Sequence, residues 1–173
     1  FMSEDVRRTA EENNHTLNTR SASEANSAFS AVQSNVFLLI DMLNASSSFE
    51  NLGNKTVDLF FERNPDIISI SLPDGTELQN SMYFSQGLFD STTPSFFVQK
   101  YPEALSLAKA GGSAALNASP VFGELVCALF CPVEIENEGN AVVIFYSLNN
   151  LTESFTGSKI QNSYIVNHNA QLI

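Results

Sequence analysis

The chain has 173 residues, 43% of them apolar, enough for one core of ordinary size and a fragment of a second. Its 8 Lys and Arg against 19 Asp and Glu give a formal charge of −11. That balance argues against nucleic acid or anionic lipid as a partner, since both demand a basic face. No apolar run is long enough to span a membrane, and Ser and Asn stand where charged residues, only 16% here, would usually be.

Residues 3–48 contain neither Pro nor Gly. Apolar or small residues recur at Val6, Ala10, Leu17, Ala25, Ala28, Val32, Val36, Leu39 and Leu43, mostly three or four apart, which is one stripe of a helix. Ser3, Glu4 and Asp5 mark its start and suit the helix dipole. A helix of this length reaches roughly 68 Å, more than a small domain is wide, so it is expected to project or to pair with a copy of itself. Its first half is thin in apolar residues, with Asn13 and Ser21 at seam positions, whereas residues 29–43 are dense. The later half is expected to dock on a domain and the earlier half to form a stalk, where Asn13 weakens the seam while fixing its register.

After a Ser-rich exit, residues 57–62 (V-D-L-F-F-E) read as a short helix stopped by Asn64-Pro65. Residues 67–72 (I-I-S-I-S-L) read as a half-buried strand with Ile68, Ile70 and Leu72 on one face. Pro73-Asp74-Gly75 makes the turn into a return strand over 77–84. Residues 85–120 are the least regular, with one or two short helices over 96–109 broken by Pro102. Two long strands, 121–135 and 141–148, flank the acidic turn E-N-E-G-N. A small helix over 151–155, a Gly157-Ser158 linker and short strands at 163–166 and 171–173 end the chain. Cys127 and Cys131 lie on one face of the first long strand, about 13 Å apart. That is too far for a disulfide, so they read as buried free thiols.

Two segments carry a resemblance. A long helix followed by P-D-I-I-S-I-S-L-P-D-G-T and then a helical insert resembles an extracytoplasmic Cache sensor domain. The ending L-F-C-P-V-E-I-E-N-E-G-N-A-V-V-I-F-Y-S-L-N-N-L is similar to that family's strand, acidic turn, strand and short helix. Tyr164-Ile165-Val166-Asn167 with Gln171-Leu172-Ile173 is similar to the first hairpin of the membrane-proximal module in double Cache proteins. The resemblance implies an α+β fold: a long N-terminal stalk helix (1–49), a PAS-like antiparallel sheet with a helical insert (50–155), and a linker with the first hairpin of a truncated second module (156–173). It also implies the periplasmic or extracellular part of a membrane receptor, tethered through flanking segments and dimeric through the long helix. In amino-acid-binding members an Asp late in the final strand holds the ligand's amine. Phe145 stands at that register here, and no Asp or Glu lies within 141–148. The departure favours a less polar or smaller ligand, or none.

No constellation for catalysis stands out. His15 and His168 fall far from the cysteines, and neither a nucleophile elbow nor a phosphate-cradling Gly loop is present. No enzyme activity, cofactor or metal is therefore expected of this fragment. Glu134, Glu136 and Glu138 read as a solvated edge. A ligand pocket is expected between the sheet and the insert, with Tyr83, Lys100, Tyr101, Phe122 and Phe145 as its candidate residues. Lys100 is the natural partner of a ligand carboxylate, and the aromatic residues favour an apolar one. The expected function is ligand sensing in a chemoreceptor, histidine kinase or nucleotide cyclase. The alternative is a surface protein-interaction module with no small-molecule ligand.

Overall fold

A computed structural model describes residues 4–45, 49–135 and 138–151. The fold is α+β: a long N-terminal helix, then a five-stranded antiparallel sheet with helices between its strands. The chain divides into two compact units, Phe1–Leu38 and Leu39–Ile173. No helix among the described residues is long and apolar enough to cross a membrane.

Helix α1 spans Glu4–Ala45, close to the length its unbroken pattern implies. Its first half is braced by exposed i,i+4 pairs, Arg7 with Glu11 at 3.4 Å and Arg20 with Glu24 at 2.8 Å. Among the described side chains its buried positions are Ala25, Val32, Val36, Leu39 and Leu43, three, four or seven apart, with Ile40 beside Leu39, while Leu38 and Met42 are exposed.

In the second unit, α2 (Phe49–Arg63) starts earlier than its apolar pattern suggests and buries Phe60 and Phe61. Strand β1 (Ile67–Ser71) turns through Pro73-Asp74-Gly75 into β2 (Glu77–Gln79). Asp74 fixes the turn by accepting from the Thr76 amide and hydroxyl, each at 2.9 Å, and Gly75 takes φ 87°, which costs a residue without a Cβ little. The insert holds α3 (Ser81–Phe84), α4 (Thr93–Lys100) and α5 (Pro102–Lys109). Tyr101 separates the last two at φ −125°, outside the helical range as expected of a residue before proline. Strand β3 (Ala114–Asn117), the one-turn helix α6 (Ser119–Phe122), β4 (Val126–Ile135) and β5 (Glu138–Ser147) follow.

The sheet order is β2-β1-β5-β4-β3, so the first and last strands are central neighbours. Four local expectations are corrected. The return strand stops at Gln79 because Asn80 caps a helix there, which puts Tyr83 in α3. The first long strand starts at Val126 rather than at 121, because Pro120 opens a turn of helix that Gly123 closes at φ 75°, so Phe122 belongs to α6. Strand β3 had no apolar alternation to announce it. Finally β1 is buried throughout, not on one face, and a register shift between Ile67 and Ser69 separates Ile68 from Ile70. The small helix expected over 151–155 begins at 149, and the described residues cover it to Leu151; its remainder, the linker and the hairpin, and Glu136 in the acidic turn, lie outside the described residues.

Candidate functional site

Strand register sets the chemistry of each sheet face. Partners across an antiparallel ladder share a face, so Gln79, Ser69, Phe145, Ala128 and Leu116 form one row. Glu77, Ser71, Val143, Phe130 and Ala114 form the next row of the same face. This face packs against the insert and α6: Phe89, Phe97, Ala104 and Ala108 of the insert and Phe122 of α6 join Phe130, Val143 and Phe145 in one buried cluster. The opposite face carries Ile70, Ile144 and Leu129 in a row, with Cys127 and Cys131 in adjacent ones. Both thiols are free and buried, and burial pushes them up to about 12 and about 11, so they stay protonated and unreactive at neutral pH.

The insert-facing side is therefore polar at its β2–β1 end and apolar at its β5–β4–β3 end. In the apolar part the aromatic rings form a continuous chain. Tyr83 stacks on Phe89 at 5.6 Å, Phe89 meets Phe122 edge-on at 5.1 Å, and Phe122 lies 5.2 Å from Phe145. Phe145 meets Phe97 edge-on at 5.7 Å, and Phe97 lies 4.7 Å from Tyr101. The fold thus brings together Tyr83, Tyr101, Phe122 and Phe145. Lys100 stands apart: it is exposed and makes no ion pair among the described residues. The Tyr83 hydroxyl donates to the Pro65 carbonyl at 3.1 Å, at the rim of the chain of rings. Burial raises its pKa, Asp66 and Glu124 add to the rise, and a hydrogen bond with Ser147 opposes it.

The polar end was not among the expected site residues. Ser69 is fully buried, and its hydroxyl has no hydrogen-bond partner among the described residues. Ser71 donates to Glu77 Oε1 at 2.7 Å, while the other carboxylate oxygen, Oε2, is buried and unpartnered among the same residues. Gln79 ties this end to the insert by donating from Nε2 to the Ser91 carbonyl at 2.7 Å. The signal was present in the I-S-I-S alternation facing E-L-Q across a tight turn, which already puts both serines on the side of Glu77 and Gln79.

Burial raises the Glu77 pKa above its ordinary 4.5, and the Ser71 hydrogen bond only partly offsets this. Between the unfolded and folded values the native state holds more protons, so this group makes stability fall as pH rises above 4.5. Glu77→Gln is expected to remove that decline and to leave stability at neutral pH equal to or above the parent's. Urea unfolding of both proteins from pH 4.5 to neutrality reads the difference.

No group of three or more His, Cys, Asp or Glu that could hold a metal occurs among the described residues. Neither a protein-family model nor any curated protein matches the chain.

Proposed function

We propose that this chain is the ligand-sensing module of a membrane-tethered signalling protein of the Cache type, lying outside the cytoplasm and working as a homodimer through α1. The observation that carries the reading is the insert-facing side of the sheet. It places a buried serine hydroxyl and a carboxylate oxygen, both without partners among the described residues, beside a row of aromatic rings. Binding sites commonly combine an apolar lining with a few convergent polar groups in this way. The long helix leading into the unit supports an output made of helix displacement, since packed helices shift between discrete positions.

Thermal-shift screening of the chain against organic acids, amino acids, amines, purines and cations tests the reading. Saturating ligand at a hundredfold its Kd stabilises by about 2.7 kcal/mol, and loss of that shift in Tyr83→Ala would place the ligand at the rim of the aromatic chain. A flat response from folded protein to every class sinks direct sensing. A second reading, a protein-interaction module, is favoured by exposed Met82, Leu88 and Phe96 on the insert. It predicts that charged substitutions there abolish partner capture and leave the thermal screen unchanged.

A further inference from the structure

We infer that the outer edge of β3 pairs with β3 of a second copy of this chain, antiparallel about a two-fold axis at Leu116. This contact is separate from the sensing proposed above and uses no residue of α1. Among the described residues β3 ends the sheet on one side and pairs only with β4. The Ala118 amide donates to the Val126 carbonyl at 2.9 Å. Bonded pairs alternate along an antiparallel ladder, so Ala114 and Leu116 bond β4, while Ala115 and Asn117 turn their amides and carbonyls outward. No backbone group among the described residues meets those outward amides and carbonyls. The strand is also partly exposed along its whole length.

This edge is bare where neighbouring edges are guarded. On the far side of the sheet, β2 is short, carries Glu77 and is tied to the insert through Gln79. Past the end of β3, the backbone of β4 that points the same way belongs to Pro132, which has no N–H, and Glu134, which is charged. Proline and charge are common means of preventing strand addition at an edge. Strand β3 has neither, and its register with β4 is unbroken by a bulge. Residues 110–123 contain no Lys, Arg, Asp, Glu or His, and Pro120 lies beyond the strand.

A second copy is the partner that fits. With Leu116 opposite the partner's Leu116, Ala115 stands opposite the partner's Asn117 on both sides of the axis. Each of these pairs exchanges two N–H···O bonds, so a single rotation satisfies every outward group of both strands. The two half-buried Leu116 side chains then meet as a non-hydrogen-bonded pair, with Cα atoms about 4.5 Å apart. Charge points to the same place. Each copy carries −11, so two copies repel where their carboxylates meet, whereas strands that meet at β3 bring no charge of residues 110–123 together. The contact is short, well under the roughly 1,200 Å² of a stable complex, so it is reversible, with a Kd of roughly 0.1–1 mM. Combined with pairing through α1, it links dimers into larger assemblies.

The test uses the whole chain carrying Leu116→Cys or, separately, Ala115→Cys, each oxidised with glutathione disulfide at about 1 mM protein. In the inferred register the two 116 positions lie within disulfide range, whereas the two 115 positions are out of step along the strands and about 8 Å apart. Leu116→Cys is therefore expected to form a disulfide-linked dimer at least about tenfold faster than Ala115→Cys. Cys127 and Cys131 stay out of the reaction because they are buried and protonated. Sedimentation from about 10 µM to about 1 mM checks the pairing without a new thiol. At the upper concentration the parent is expected to approach twice the mass of Ala115→Pro. Proline there removes an outward N–H and leaves the bonds to β4 in place. Ala115→Thr keeps that N–H and is expected to behave as the parent. Equal cross-linking at both positions, or equal mass for the parent and a folded Ala115→Pro, overturns the pairing. So does slow exchange of the Ala115 and Asn117 amides at about 10 µM, because another part of the chain then covers the edge. If Ala115→Pro fails to fold, the two cysteine variants decide.

Discussion

Phe145→Ala is expected to destabilise the second unit by about 3–5 kcal/mol, the usual cost of deleting a buried phenyl ring. Phe145 sits on the central strand β5 with no exposed surface. It touches rings from two different helices, Phe97 of α4 in the insert and Phe122 of α6. Its loss leaves a gap that neither helix fills without moving off the sheet, so the cavity contribution adds to the lost transfer energy. Urea unfolding gives the value, with Phe96→Ala as the comparison. Phe96 lies beside Phe97 in sequence but is 60% exposed, and its removal should change stability by no more than about 0.5 kcal/mol. A double-mutant cycle of Phe145 with Phe122 should show a coupling of about 0.5–1.5 kcal/mol from their 5.2 Å contact. A Phe145→Ala loss below about 1 kcal/mol would mean that the insert is not held to the sheet by these rings.

The sequence was most legible where one local rule acted alone. The unbroken run without Pro or Gly announced α1, and Pro102 announced the break between α4 and α5. The strong turn chemistry of Pro73-Asp74-Gly75 announced the β1–β2 hairpin. Legibility failed where tertiary pairing decided the outcome. Strand β3, A-A-L-N, has little strand propensity and exists because β4 offers an edge to pair with. Residues 119–122 continue an apolar run into β4, yet Pro120 and Gly123 convert them into a turn of helix.

The candidate site divides on the same line. Aromatic residues were legible as neighbours, and the four expected ones meet in the chain of rings that joins Tyr83 to Tyr101. The alternation of β1 reads as a half-buried strand, which puts Ser69 and Ser71 on a wet face. Burial on both faces turns the same two hydroxyls into the least ordinary groups of the sheet. The tight turn and the alternation already put them on the side of Glu77, but only the pairing with β5, which no local pattern encodes, shows that they share that face with Phe145.

Asn80→Ala is the second substitution with a large expected effect, about 2–4 kcal/mol. Asn80 is 3% exposed and works through both ends of its amide. Its Oδ1 accepts from the Met82 amide at 3.1 Å and starts α3, while its Nδ2 donates to the Ile67 carbonyl at 3.0 Å, beside the register shift in β1. Loss of the cap alone costs about 1 kcal/mol, and a buried carbonyl left without its donor adds about 1–3 kcal/mol. Asn80→Ser separates the two, because a hydroxyl still caps the helix but is too short to reach Ile67. It is expected to recover only the capping share. If Asn80→Ala and an ordinary exposed cap deletion cost the same, the bond to Ile67 carries no weight. The bond matters for the site because the shift at Ile67 decides which face the serines occupy, and a strand that slips by one residue exchanges its faces. Relaxing it would turn Ser69 away from Glu77.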